Sequence, residues 1–242
     1  MLGILGEIGY NYSMENLANW FLIFIIYSFL GWIVEVCMGV GMRHKISNRG
    51  FLIGPICPIY GTGALLLTLV LGGSEKNLLA VFCIGLVGGV TLEYVTSVVM
   101  EKMFHVRWWD YSYMPFNLNG RICLQAAVMF GLAAILIEAV GNPMFLHLLE
   151  MLPGGLRNTL AIILGLTFVV DFVVSFCLIR GFKNTINTIN KDATDEISER
   201  VHEIIMQKGK LSRRLVKAFP DFEAKQKETD QKVMDVTEDE AD

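Results

Sequence analysis

Five apolar stretches, Leu17 to Gly41, Pro55 to Gly73, Leu78 to Met100, Ile122 to Gly141 and Leu156 to Ile179, constrain this chain more than any other feature. Each is close to the roughly 20 residues that a helix needs to cross a hydrocarbon core of about 30 Å. In lipid the backbone must satisfy its own hydrogen bonds, and apolar runs of this length do so as helices. The expected fold is therefore all-α: a polytopic transmembrane helical bundle of five spans. Composition agrees, with 53% apolar and 18% charged residues, against roughly 25% charged in ordinary soluble domains. The charges are also unevenly placed, because residues 184–242 hold 10 of the 20 Lys and Arg and 14 of the 24 Asp and Glu. The chain divides into an N-terminal segment, 1–16, a transmembrane domain, 17–180, and a polar tail, 181–242.

An odd number of spans puts the termini on opposite sides, and the basic residues of the short loops decide which side is which. One side carries Arg43, Lys45, Arg49, Lys102, Arg107, Arg121, Arg180 and Lys183, and the other only Lys76 and Arg157. The expected topology is N-terminus outside, C-terminus cytoplasmic, in the bacterial cytoplasmic membrane. Met1 to Asn16 has no Lys or Arg, which gives no sign of a cleaved signal peptide. In the tail, Ile197, Val201, Ile204, Ile205, Leu211 and Leu215 recur at helical spacing. They predict a cytosolic amphipathic helix over about 190–218, followed by a disordered acidic end.

Several function classes are disfavoured. The net charge of −4 is matched by residues 184–242 alone, with 10 basic and 14 acidic residues, so no basic face recruits nucleic acid. The five cysteines sit singly in or beside apolar runs without a CxxC pair, and the four histidines are scattered, so neither a metal site nor a cofactor is expected. No GxxxxGK[ST], HExxH or GxSxG motif occurs, and the chain is not expected to be an ATPase or hydrolase by those mechanisms.

Four acids lie inside the spans, where a charge costs about 2.5 to 3.5 kcal/mol at the bilayer centre. At about 1.5 Å per residue, Glu138 lies roughly 5 Å from the outer edge of its span. Glu35 and Glu93 lie about 9 to 10 Å above the inner edge, and Asp171 near the middle. Residues four apart share a helix face. On that face Glu93 continues Gly85, Gly89 and Ser97, Glu35 sits between Gly31 and Gly39, Asp171 lies between Thr167 and Ser175, and Glu138 lies between Ala134 and Asn142. Small and hydroxyl residues mark helix contacts in membranes, so all four acids are expected to face the bundle interior. Two readings stand: the acids are protonated or paired with Arg49 or Arg121 and only assemble helices, or Glu35, Glu93 and Asp171 line a polar cavity open to the cytoplasm.

The inner loops carry the unusual residues. In the second, Trp108, Trp109, Tyr111, Tyr113 and Phe116 form either an aromatic belt at the headgroups or a binding loop built from Trp109, Asp110, Asn117, Asn119 and Arg121. In the first, Pro55 and Pro58 either start the second span or, with Gly61 and Gly63, break it so that exposed backbone lines a site. A faint repeat relates Gly31 and Glu35 to Gly89 and Glu93, 58 residues on.

Longer motifs carry a resemblance. Gly31-Trp32 with Glu35, the run Asn48 to Gly61, Leu92 to Tyr94, and Trp108 to Cys123 are similar to those of the bacterial CmpB membrane family, the type IV ABC transporters. The resemblance covers about residues 20–180. It implies a permease-like subunit for an unknown solute, with lipid around it, and, since five spans are too few for a translocator, a homodimer and a separate ATPase subunit. The candidate substrate or ion ligands are Glu35, Glu93, Asp171, Arg49, Asp110, Asn117, Asn119 and Arg121. Two other readings compete: a structural or regulatory scaffold that recruits cytosolic partners, and a lipid-acting membrane enzyme using Glu93, Asp110 and Arg121.

Overall fold

A computed structural model describes residues 17–43, 51–72, 77–104 and 107–190. Arg49, the N-terminal segment and the tail helix expected over about 190–218 lie outside the described residues, Asn190 apart. The elements in chain order are α1 (Leu17–Arg43), α2 (Pro58–Leu71), α3 (Leu78–Phe104), a two-residue strand pair β1 (Asn117–Leu118) and β2 (Ile122–Cys123), α4 (Leu124–Leu136), a π-helical turn (Ile137–Gly141), α5 (Asn142–Glu150) and α6 (Gly154–Asn190).

Four stretches are long and apolar enough to cross a membrane: Leu17–Gly39, Leu78–Phe104, Leu124–Glu150 and Gly154–Ile179. Their outer faces show why a membrane is required. Ile162, Leu166, Val169, Val170 and Val173 of α6 are all exposed, an apolar surface that lipid solvates and water does not.

The second expected span, 55–73, is shorter. Its helix has 14 residues, about 21 Å of rise, and begins at Pro58 rather than Pro55. Residues 51–57 ahead of it are not helical, yet Leu52 is fully buried. Irregular backbone at depth is tolerated only where protein satisfies it, and here protein does. The Ile53 and Gly54 N–H groups donate to the Asp171 carboxylate at 3.0 and 2.8 Å, and the Cys57 N–H donates to the Ser28 carbonyl at 2.9 Å. Pro58 can then open α2, where no N–H is needed, and the left-handed Gly72 closes it.

The fourth stretch is longer than expected. The chain stays helical to Glu150, where a loop from Asn142 is expected from the sequence. Pro143 follows the π-helical turn, whose wider ring relieves the clash that proline makes in an α-helix. Within this continuous helical stretch Asn142 is 1% exposed. Its Oδ1 accepts from the Tyr27 hydroxyl at 2.9 Å, and its amide donates to Thr68 Oγ1 at 2.9 Å and to Glu138 Oε2 at 3.2 Å. One polar side chain thereby ties α1, α2 and the π-turn together inside the apolar cluster of Leu22, Ile23, Tyr27, Ala64 and Leu149.

Close packing elsewhere uses small residues. A Cβ at Gly85 would overlap Ala134, so α3 and α4 approach almost backbone to backbone. At the other end an aromatic layer of Phe51, Phe104, Trp108, Phe172 and Phe176 joins the irregular segment, the end of α3, the following loop and α6, with ring centroids 5.4 to 6.4 Å apart. Phe104 is buried in this layer and Trp108 half-buried against it, whereas Tyr113 and Phe116 are exposed.

Candidate functional site

The site forms where two helical hairpins meet. In the first, Gly31 and Glu35 lie one turn apart on the same face of α1. A Cβ at Gly31 would overlap the ring of Tyr60, so the glycine lets that ring lie across α1. From there the Tyr60 hydroxyl donates to Glu35 Oε1 at 2.8 Å. In the second hairpin Glu93 of α3 is 7% exposed, and the Tyr111 hydroxyl, from the loop after α3, donates to Glu93 Oε1 at 3.2 Å. Each acid is therefore met by a tyrosine of its own hairpin.

The two pairs lie within electrostatic reach of one another. Glu35 acts electrostatically on both Glu93 and Tyr111, and Tyr111 on Tyr60. Among the described residues no Lys, Arg or His pairs with either carboxylate. Tyr111 lies outside the spans, and burial, reinforced by the Glu93 carboxylate, holds its phenol well above the ordinary tyrosine range. It is accordingly a permanent hydrogen-bond donor.

Asp171 is placed elsewhere, as the anchor of the irregular segment. Its two oxygens take the Ile53 and Gly54 N–H groups, and Oδ1 also accepts from the Ser175 hydroxyl at 3.1 Å. A carboxylate satisfied by backbone donors in this way is committed to structure.

The second loop is likewise folded by its own candidate ligands. Asn119 and Gly120 both have positive φ, 54° and 65°, the pair of left-handed positions that Asn-Gly supplies to a tight hairpin turn. The Arg121 N–H closes that turn on the Leu118 carbonyl at 3.0 Å. Asp110 Oδ1 accepts from the Ser112 N–H and hydroxyl, and Asn117 bonds the Met114 carbonyl and the Gly120 N–H. Asn119 donates to the Tyr94 hydroxyl at 3.0 Å. Arg121 does not pair with a deep acid. It bonds Glu101 at 2.6 Å and Ser97 Oγ at 3.0 Å, and the Trp109 indole holds its carbonyl. The trio Glu93, Asp110 and Arg121 therefore does not converge on one point.

Of the eight residues singled out from the sequence, the structure places Glu35 and Glu93 within electrostatic reach of each other, uses Asp171, Asp110, Asn117, Asn119 and Arg121 in separate contacts, and leaves Arg49 outside the described residues. Tyr60 and Tyr111 were missed. Leu52, Gly54, Ile56 and Cys57 recur 66 residues on as Leu118, Gly120, Ile122 and Cys123, and each copy ends on a buried, extended cysteine that begins the next helix. This second repeat, read beside Gly31/Glu35 and Gly89/Glu93, marks two equivalent hairpins and could have pointed to their junction.

The family model described as "Putative ABC-transporter type IV" matches residues 22–176, from the first turns of α1 into α6, with both hairpins and all of the cluster. The chain belongs to this family. It is a multi-pass membrane protein of ABC-transporter type, as the motifs from Asn48 to Gly61 and Trp108 to Cys123 imply. No curated protein and no solved structure shows significant similarity to it.

Proposed function

We propose that this family member is the permease-like subunit of a transporter, and that the solute pathway runs along the junction of its two hairpins. The observation that carries the reading is the Glu35–Tyr60 and Glu93–Tyr111 cluster, two acids on matching positions of a sequence repeat, beside the non-helical segment 51–57 that leads into α2. Polar side chains at membrane depth are expensive and mark pathways, and the interface between internal repeats is where transporters place their sites.

In this reading α2 and the irregular segment ahead of it make the fifth crossing. Their combined reach is about 21 Å of helix plus up to roughly 3.3 Å for each extended residue, enough for a core of about 30 Å. The N-terminus is then outside and the basic loops and tail are cytoplasmic, in a bacterial inner membrane. The subunit has no enzymatic activity of its own, works as a homodimer, and draws on a separate ATPase. Affinity purification of the full chain in mild detergent, followed by identification of bound proteins, tests this. A stoichiometric ATPase is the expected result. Recovery of a different cytosolic partner, with no ATPase, refutes it in favour of a scaffold.

A further inference from the structure

Glu93 has an unmet requirement. Oε1 accepts from Tyr111, but Oε2 is buried with no hydrogen-bond partner among the described residues. A carboxylate charge held this way is heavily penalised, and Glu35 adds repulsion. The titratable and charged groups around it belong to several elements. Glu35 comes from α1, Tyr60 from α2, and Tyr111 from the loop, while Cys57 and Cys123 head α2 and α4 and act on the two phenols. Ser97, one turn along α3, separates Glu93 from Arg121, whose guanidinium is engaged by Glu101. None of these neutralises Glu93.

Three classes of ligand could in principle do so. A metal ion needs more ligating groups than two carboxylates, and among the described residues no set of three His, Cys, Asp or Glu side chains is placed to hold one. An organic cation needs space, and Glu93 Oε2 is closed off from the surface. A proton needs neither.

We propose that Glu93 is a proton-binding site, the proton being held on the buried carboxylate oxygen that no protein group meets, with Glu35 as the neighbouring acid. Each tyrosine already spends its hydroxyl proton on the carboxylate it faces, so neither takes the proton away. The proton comes from and returns to bulk water, and leaves only when the two hairpins part far enough to admit it. The site follows from the packing of Glu93. Its consequence, that transport is coupled to proton binding, rests on the transporter reading above.

Infrared spectra of the purified full-length protein in lipid nanodiscs at neutral pH test it, because a protonated carboxyl has a C=O band that shifts in heavy water. The wild type is expected to show such a band. Glu93→Gln should abolish that component. Glu35→Gln should weaken it, since the charge that favours keeping the proton is gone, while Tyr111→Phe keeps it. A wild type with no such band overturns the proposal, and so does a band unchanged in Glu35→Gln, which keeps the test decisive if Glu93→Gln does not fold. The measurement needs neither solute nor ATPase, so its failure and that of the co-purification are distinguishable.

Discussion

Replacing Asp171 with asparagine should release the irregular segment that precedes α2. The carboxylate takes the Ile53 N–H at 3.0 Å and the Gly54 N–H at 2.8 Å, one on each oxygen. An amide keeps one acceptor and turns the other position into a donor facing an N–H. One hydrogen bond to a charged group is lost, worth about 1.5 to 3 kcal/mol, and the other is weakened, while the Ile53 N–H keeps Ser175 Oγ as an acceptor at 3.1 Å. The sum is about 3 kcal/mol against the docked segment, or about a hundredfold in its opening equilibrium at about 1.4 kcal/mol per factor of ten. Cys57, buried three residues beyond Gly54, reports on that opening. With Cys37, Cys83 and Cys177 replaced, labelling of Cys57 by a small thiol reagent in detergent should accelerate about a hundredfold under conditions where reclosing is fast. Cys123 occupies the matching position of the second hairpin and is also buried, so it serves as the internal control. A Cys57 rate within about threefold of the parent would refute the anchoring role of Asp171. Equal acceleration of Cys123 would show general loosening and refute the local argument as well.

Gly31→Ala should displace the Tyr60 ring and lower thermal stability in detergent by about 1 to 3 kcal/mol. Gly88→Ala, where an added Cβ meets nothing within 4 Å, should be neutral; equal effects would remove the packing argument. Asn142→Ala should remove three hydrogen bonds, from the Tyr27 hydroxyl and to Thr68 Oγ1 and Glu138 Oε2, and cost about 2 to 4 kcal/mol. A melting temperature unchanged from wild type would mean that the network adds nothing. In a cysteine-free background, Glu75→Cys should react with an impermeant thiol reagent in intact cells, and Ile46→Cys and Asn190→Cys only after permeabilisation. Labelling of Asn190→Cys in intact cells would overturn the assigned topology.

Much of the architecture was legible because it depends on quantities that a linear sequence contains. Helix positions follow from apolar run length, and α1, α3 and α6 begin within two residues of the stretches read from hydropathy. Helix faces follow from four-residue spacing, which placed Gly31 with Glu35 and Gly89 with Glu93. The loop carrying Asp110, Asn117 and Asn119 illustrates a limit. Asp, Asn and Gly in a row suit a binding loop and a self-folding turn equally, since both need polar groups and left-handed backbone. Only the observed bonds, Asp110 to Ser112 and Asn117 to Gly120, show that those groups are already used.

By itself, the sequence determined that this chain is a multi-span helical membrane protein, which family it belongs to, and that Glu35, Glu93, Glu138 and Asp171 sit in apolar stretches. Burial of a charge in a hydrocarbon-length run is a property of composition and spacing, so no fold is needed to see it. The tertiary structure alone decided what each acid does. Whether an acid meets a tyrosine or a backbone N–H depends on contacts between residues 18 to 118 positions apart. Those contacts are set by how closely Gly31 lets α2 approach α1 and by where the aromatic layer holds the loop that carries Tyr111. The break before Pro58 is of the same kind. Proline permits a helix to start there, but the segment ahead of it can stay unwound inside the protein only because Asp171, more than a hundred residues away, supplies the acceptors that a helix would otherwise provide.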